Sequence, residues 1–105
     1  MTDFIKVIIT IDNRENALKI ANLAVEKKLA ACCQISGPIT SIYSWKKKIE
    51  SAEEFYCVFK TKKKLYKKLE KLIKSNHPYE VPEILSYKID KGLVSYLEWL
   101  EKETE

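Results

Sequence analysis

Eight consecutive positions, Phe4 to Ile11, read "FIKVIITI", apolar and β-branched almost without a break, as expected of a central strand covered on both sides. The period then changes. Ala17, Leu18, Ala21, Ala24, Val25 and Leu29 recur at helical spacing, predicting a helix over residues 14–28 with small alanines packed against a sheet. Asp12 with Glu15 has the form of a capping box at its start. Next comes a long β-rich tract in two arms, Cys32–Trp45 and Ile49–Thr61, joined by lysines. Gly37-Pro38 interrupts the first arm, which proline permits only on an edge strand or at a bulge. In the second, Phe55, Cys57 and Phe59 alternate with Tyr56, Val58 and Lys60, a half-buried pattern. A helix over 62–75 turns Leu65, Leu69, Leu72 and Ile73 inward; a strand over 84–89 and a last helix on Leu93, Tyr96, Leu97 and Leu100 complete the chain.

The predicted order, βαββαβ plus a terminal helix, is an α+β fold. Two right-handed crossovers around a hairpin make a ferredoxin-like sandwich, with helices on one face of a four-stranded antiparallel sheet. The hairpin is too long for a monomer. Its arms run about 13 residues each, or roughly 44 Å if straight, against a radius of gyration near 13 Å for a domain of this size. The overhang exposes edge groups together with Tyr43 and Trp45, and calls for a partner subunit.

Composition narrows the classes. The chain has 105 residues, 46% of them hydrophobic, which suits one domain with one core. No apolar run reaches the roughly 18 residues of a membrane span, and the N-terminal strand lacks the pattern of a signal peptide. Of three cysteines, Cys32 and Cys33 are adjacent and too close to pair with each other, so reduced thiols and a cytoplasmic location are expected. The net charge of +4 is uneven: residues 60–74 hold eight lysines and one glutamate, +7, leaving −3 elsewhere. Without glycine-rich loops or interleaved aromatics beyond Tyr66, that strip reads as a solvated helix face and no nucleic-acid partner is expected.

Candidate chemistry gathers in "NHPYEVPEI", residues 76–84, which holds the only histidine and two of three prolines. Proline fixes φ at two points and pushes His77 and Val81 into extended conformations, giving a stiff loop around His77, Tyr79, Glu80 and Glu83. Imidazole with carboxylates suits zinc or copper(II), which makes His77 and Glu80 candidate ligands, although the same residues can simply pair within the loop. No Cys-x-x-Cys or His-x-x-x-His spacing supports a tight site within one chain, and nothing resembles an activated thiol, so no enzyme is expected.

Taken together, "KLAACCQI", "TSIYSW", "KT" at 60–61, "HPYEVPEI" and "YLEWL" closely resemble the CutA family of divalent-cation tolerance proteins, nearly end to end. The resemblance implies a tight homotrimer built through the long hairpin. It implies that Tyr43, Trp45, Lys60, His77, Tyr79, Glu80 and Glu83 line or border a cleft between subunits. Family trimers also look like the PII-type signalling trimers, which bind small molecules in such clefts. The implied function is divalent-cation (copper) tolerance without catalysis or a required cofactor, through weak binding of copper(II), zinc or a small ligand; the alternative is a PII-like sensor in which metal is incidental. Three places depart from the family pattern: Lys47 in the hairpin turn where many relatives have glycine, Asp12-Asn13 where many have proline, and Ile9 and Asn76 where some carry Cys or His.

Overall fold

A computed structural model describes residues 2–105. In chain order the elements are β1 (Phe4–Ile11), α1 (Arg14–Glu26), β2 (Cys32–Trp45), β3 (Lys48–Lys62), a 3₁₀ turn (Lys63–Leu65), α2 (Tyr66–Asn76), β4 (Ile84–Lys88) and α3 (Val94–Glu103). The four strands form one antiparallel sheet in the order β2-β3-β1-β4. The continuous apolar run of β1 lies between β3 and β4, while β2, which carries the proline, is an edge with a register shift between Ser36 and Ile39. The α+β order read from the sequence is the one observed.

Three local readings change, the first being that Lys62, placed in a helix over 62–75 by the sequence pattern, ends β3, with a 3₁₀ turn before α2 begins at Tyr66. Asn13, not Asp12, caps α1: its side chain accepts from the Asn16 N–H at 2.8 Å, while Asp12 takes the Asn16 amide. The buried stripe is Ala17, Ile20, Ala21 and Ala24, whereas Leu18 and Val25 flank it, 42% and 40% exposed. A narrow alanine-rich stripe brings the helix close to the sheet, so its larger neighbours fall at the margin. The helix stops at Glu26 because Lys28 turns left-handed, φ 59°, and the Leu29 N–H doubles back to the Ala24 carbonyl.

Between the sheet and α1/α2 lies the core: Val7, Ile9, Ile11, Ile20, Phe59, Leu69 and Ile73 are wholly buried. The third helix approaches the other face, where Tyr96 meets Cys32 and Lys62 reaches the C-terminal segment. Lys62 belongs to the basic strip by sequence but is only 4% exposed. Its ammonium pairs with Glu101 and donates to the carbonyls of Thr104 and Glu105.

The hairpin outruns the sheet. Of β3, only Phe55–Lys62 pairs with β1, so Lys48–Glu54 has β2 as its sole partner. Those seven residues extend about 23 Å as a two-stranded ribbon, and the molecule measures 45 × 25 × 22 Å. Ile42 and Ile49 on the ribbon are 72% and 77% exposed. Lys46 and Lys47 form its turn with φ of 49° and 68°, the two left-handed positions of a type I′ hairpin, here without glycine.

Candidate functional site

Proline 78 decides where α2 ends. It forces His77 out of helical geometry, to φ −87° and ψ 134°, and the chain turns across the end of the sheet. Pairing of β1 with β4 stops at Ile9–Ile84, and one residue further on the Thr10 carbonyl accepts from His77 Nε2 at 2.8 Å. The other ring nitrogen, Nδ1, accepts from the Tyr79 N–H at 3.2 Å, which fixes the tautomer. The Tyr79 ring sits edge-on to the imidazole, centroids 4.6 Å apart. His77 is buried, and both its nitrogens are committed within the chain.

This arrangement aims Tyr79 at the hairpin. Its hydroxyl donates to Glu54 Oε2 at 2.7 Å, joining the loop to β3. Burial, reinforced by that carboxylate, raises the Tyr79 phenol above its ordinary value. Between hairpin and loop lies a cleft of about 650 Å³, bordered by Tyr43, Trp45, Glu54 and Tyr56 on one side and Tyr79, Glu80 and Glu83 on the other. Tyr43, Trp45, Tyr79, Glu80 and Glu83, singled out in the sequence, thus come together within a single chain. Glu80 and Glu83 are exposed. Lys60 stands apart: it lies six residues along β3 from Glu54, about 20 Å, with its ammonium on the Gln34 side-chain oxygen.

Sequence reasoning missed Glu54 and Tyr56. Glu54 is 6% exposed and has no cationic partner among the described residues. The signal was alternation, since Glu54 shares the parity of Tyr56 on a strand whose Phe55 and Cys57 face inward. Among the described residues, no three His, Cys, Asp or Glu side chains converge to hold a metal ion. The thiols are diagonal neighbours across β2 and β3, Cys33 opposite Phe59 and Cys57 opposite Ile35. The interaction with Cys57 and then burial push the Cys33 thiol up, so it is held neutral.

The family described as CutA1 divalent ion tolerance protein matches residues 5–103. The chain belongs to this family. It is 40% identical over 98 residues to the divalent-cation tolerance protein CutA of Thermus thermophilus, covering 93% of this chain and 95% of that one. It is 41% identical over 100 residues to the chloroplastic protein CutA of Arabidopsis thaliana, covering 95% of this chain but 55% of the relative. The chain thus spans about half the length of that plant relative and of the human CutA, 54% in the latter case. Among solved structures, CutA1 of Oryza sativa superposes with a TM-score of 0.95 at 36% identity, over 98% of this chain and 94% of that one. The cation tolerance protein of Thermus thermophilus gives 0.93 at 38%, with both chains fully covered. A CutA of Archaeoglobus fulgidus is described as periplasmic, so relatives occupy more than one compartment. Divalent-cation tolerance is the function attached to the CutA name at the family level. Among the described residues, no helix is long and apolar enough to cross a membrane.

Proposed function

We propose that this CutA-family chain works as a cytoplasmic, non-enzymatic homotrimer that serves divalent-cation tolerance by holding a small cationic ligand, or weakly a copper(II) or zinc ion, in the cleft between hairpin and loop. The overhanging ribbon carries the proposal. A two-stranded hairpin is marginal in water on its own, and this one exposes Ile42 and Ile49 on a segment with no third strand. A second copy supplies the missing packing. The cleft supports the cationic ligand: its charged lining is Glu54, Glu80 and Glu83, with no lysine, arginine or histidine. A metal bound through His77 would cost one of two intrachain hydrogen bonds, so the carboxylates are the better donors.

The PII-like reading, in which metal is incidental, has one observation in its favour. The cleft is far larger than a bare ion needs and lies in the 300–1,000 Å³ range of small-molecule sites. Light scattering at micromolar concentration is expected to give three times the mass of one chain. Calorimetric titration with copper(II) and zinc is expected to show weak binding that Glu80→Gln reduces. A well-folded monomer would overturn the assembly, and metal binding indifferent to Glu80 would overturn the assignment of donors.

A further inference from the structure

We infer that the cleft is a receptor for an organic ammonium ion, a primary amine or polyamine, with the Glu54 carboxylate as its anchor. This rests on the cleft reading above and names the ligand class. Glu54 is a buried carboxylate whose only side-chain partner among the described residues is a neutral phenol. Its Oε2 accepts from the Tyr79 hydroxyl, and Oε1, with no hydrogen-bond partner among the described residues, is open to the cavity that the residue borders. No cationic side chain among the described residues pairs with this carboxylate. A cation entering the cleft supplies that partner.

The remaining walls select which cation. Tyr43, Trp45 and Tyr56 present aromatic rings there, and the negative face of such rings attracts ammonium groups within about 6 Å. The Trp45 indole already takes one, the Lys46 ammonium lying 5.7 Å from its centre. A compact divalent ion fits less well, because no three ligating side chains among the described residues converge on a point. The carboxylates are spread instead, Glu54 at the floor and Glu80 and Glu83 on the exposed loop. An extended molecule with two cationic ends can reach both, its apolar stem crossing the aromatic wall.

Calorimetry on the full chain with putrescine and spermidine, and with 1,4-butanediol as the neutral match of putrescine, tests this. The amines are expected to bind saturably and the diol not at all. Glu54→Gln, which still accepts from Tyr79, is expected to weaken the amines at least about tenfold. Tyr56→Leu, on an exposed side chain, weakens them severalfold with the assembly state unchanged by light scattering. Equal binding of amine and diol, or wild-type affinity in Glu54→Gln, would sink the inference. Copper(II) or zinc binding at the cleft without amine binding would refute the ammonium class and leave the cation-holding cleft standing. Failure of metal and amine alike would remove both.

Discussion

Replacing His77 by alanine separates a structural histidine from a binding one. The substitution deletes a donor to the Thr10 carbonyl and an acceptor for the Tyr79 N–H. Each such bond contributes about 1 kcal/mol net, and a buried group left unpaired costs about 1–3 kcal/mol. The imidazole is 8% exposed and its edge-on contact with Tyr79 adds roughly 0.5–1.5 kcal/mol. These contributions overlap, so the expected loss is about 3 kcal/mol. With a guanidinium m-value of about 2–6 kcal/mol/M, the unfolding midpoint falls by roughly 1 M. Protein concentration must be fixed, because the proposed assembly would add to apparent stability. Glu80→Gln is the control. That side chain is exposed, so the stability of this variant should stay within about 0.5 kcal/mol of wild type. A His77→Ala protein that keeps its midpoint but loses copper(II) or zinc binding would refute the positioning role and make the histidine a ligand.

Other outcomes follow from single features. Lys47→Gly removes a left-handed lysine from the hairpin turn, φ 68°, and should raise stability by roughly 1 kcal/mol in the same denaturation assay; a decrease would mean that the turn is not strained. Tyr66 is pushed up to about 12 by burial and then by its bond to Glu70, and Tyr79 is also raised. The unfolded chain releases these protons first, near pH 10, so their stabilisation is full below 10 and declines as pH rises toward about 12 for Tyr66. Phenolate absorbance should show a late component that Tyr66→Phe diminishes. Lys62→Met removes the ammonium from two carbonyls and Glu101, so amide exchange at Thr104 and Glu105 should accelerate while the core amides hold. Replacing Cys32, Cys33 and Cys57 together by alanine should leave the fold intact by circular dichroism, since all three are free thiols; loss of copper(II) binding in that variant would move the site to the sulfurs.

The fold was legible where one period dominates. The unbroken run of β1 and the alternation of Phe55, Cys57 and Phe59 left little choice, and Gly37-Pro38 marked both the edge strand and its irregularity. Side-chain assignment on α1 failed because the helical template admits two neighbouring stripes. Only the sheet decides that Ile20 goes in and Leu18 stays at the margin. At the site, the residues of "HPYEVPEI" announced themselves by rarity, but their partners did not. The Thr10 carbonyl is backbone and leaves no mark in sequence, and alternation puts Glu54 on the face of Tyr56 without showing that it is buried. Lys62 was hidden similarly, as one lysine in a row of them.

The 2.7 Å bond between Tyr79 and Glu54 gives the molecule a mechanical property. The ribbon is a lever about 23 Å long, anchored where β1 begins to pair at Phe55, and Glu54 stands at its root. A small rotation there becomes a large sweep at Lys46 and Lys47, and the phenol is the stay that resists it. A ligand in the cleft would bear on the ribbon from Glu54 at its root to Trp45 near its tip, and a subunit gripping the ribbon would bear on the same element. Were both to set its angle, occupancy and association would by reciprocity change each other's free energy by the same amount, and a ligand too small to touch a neighbouring subunit would still govern how firmly it is held.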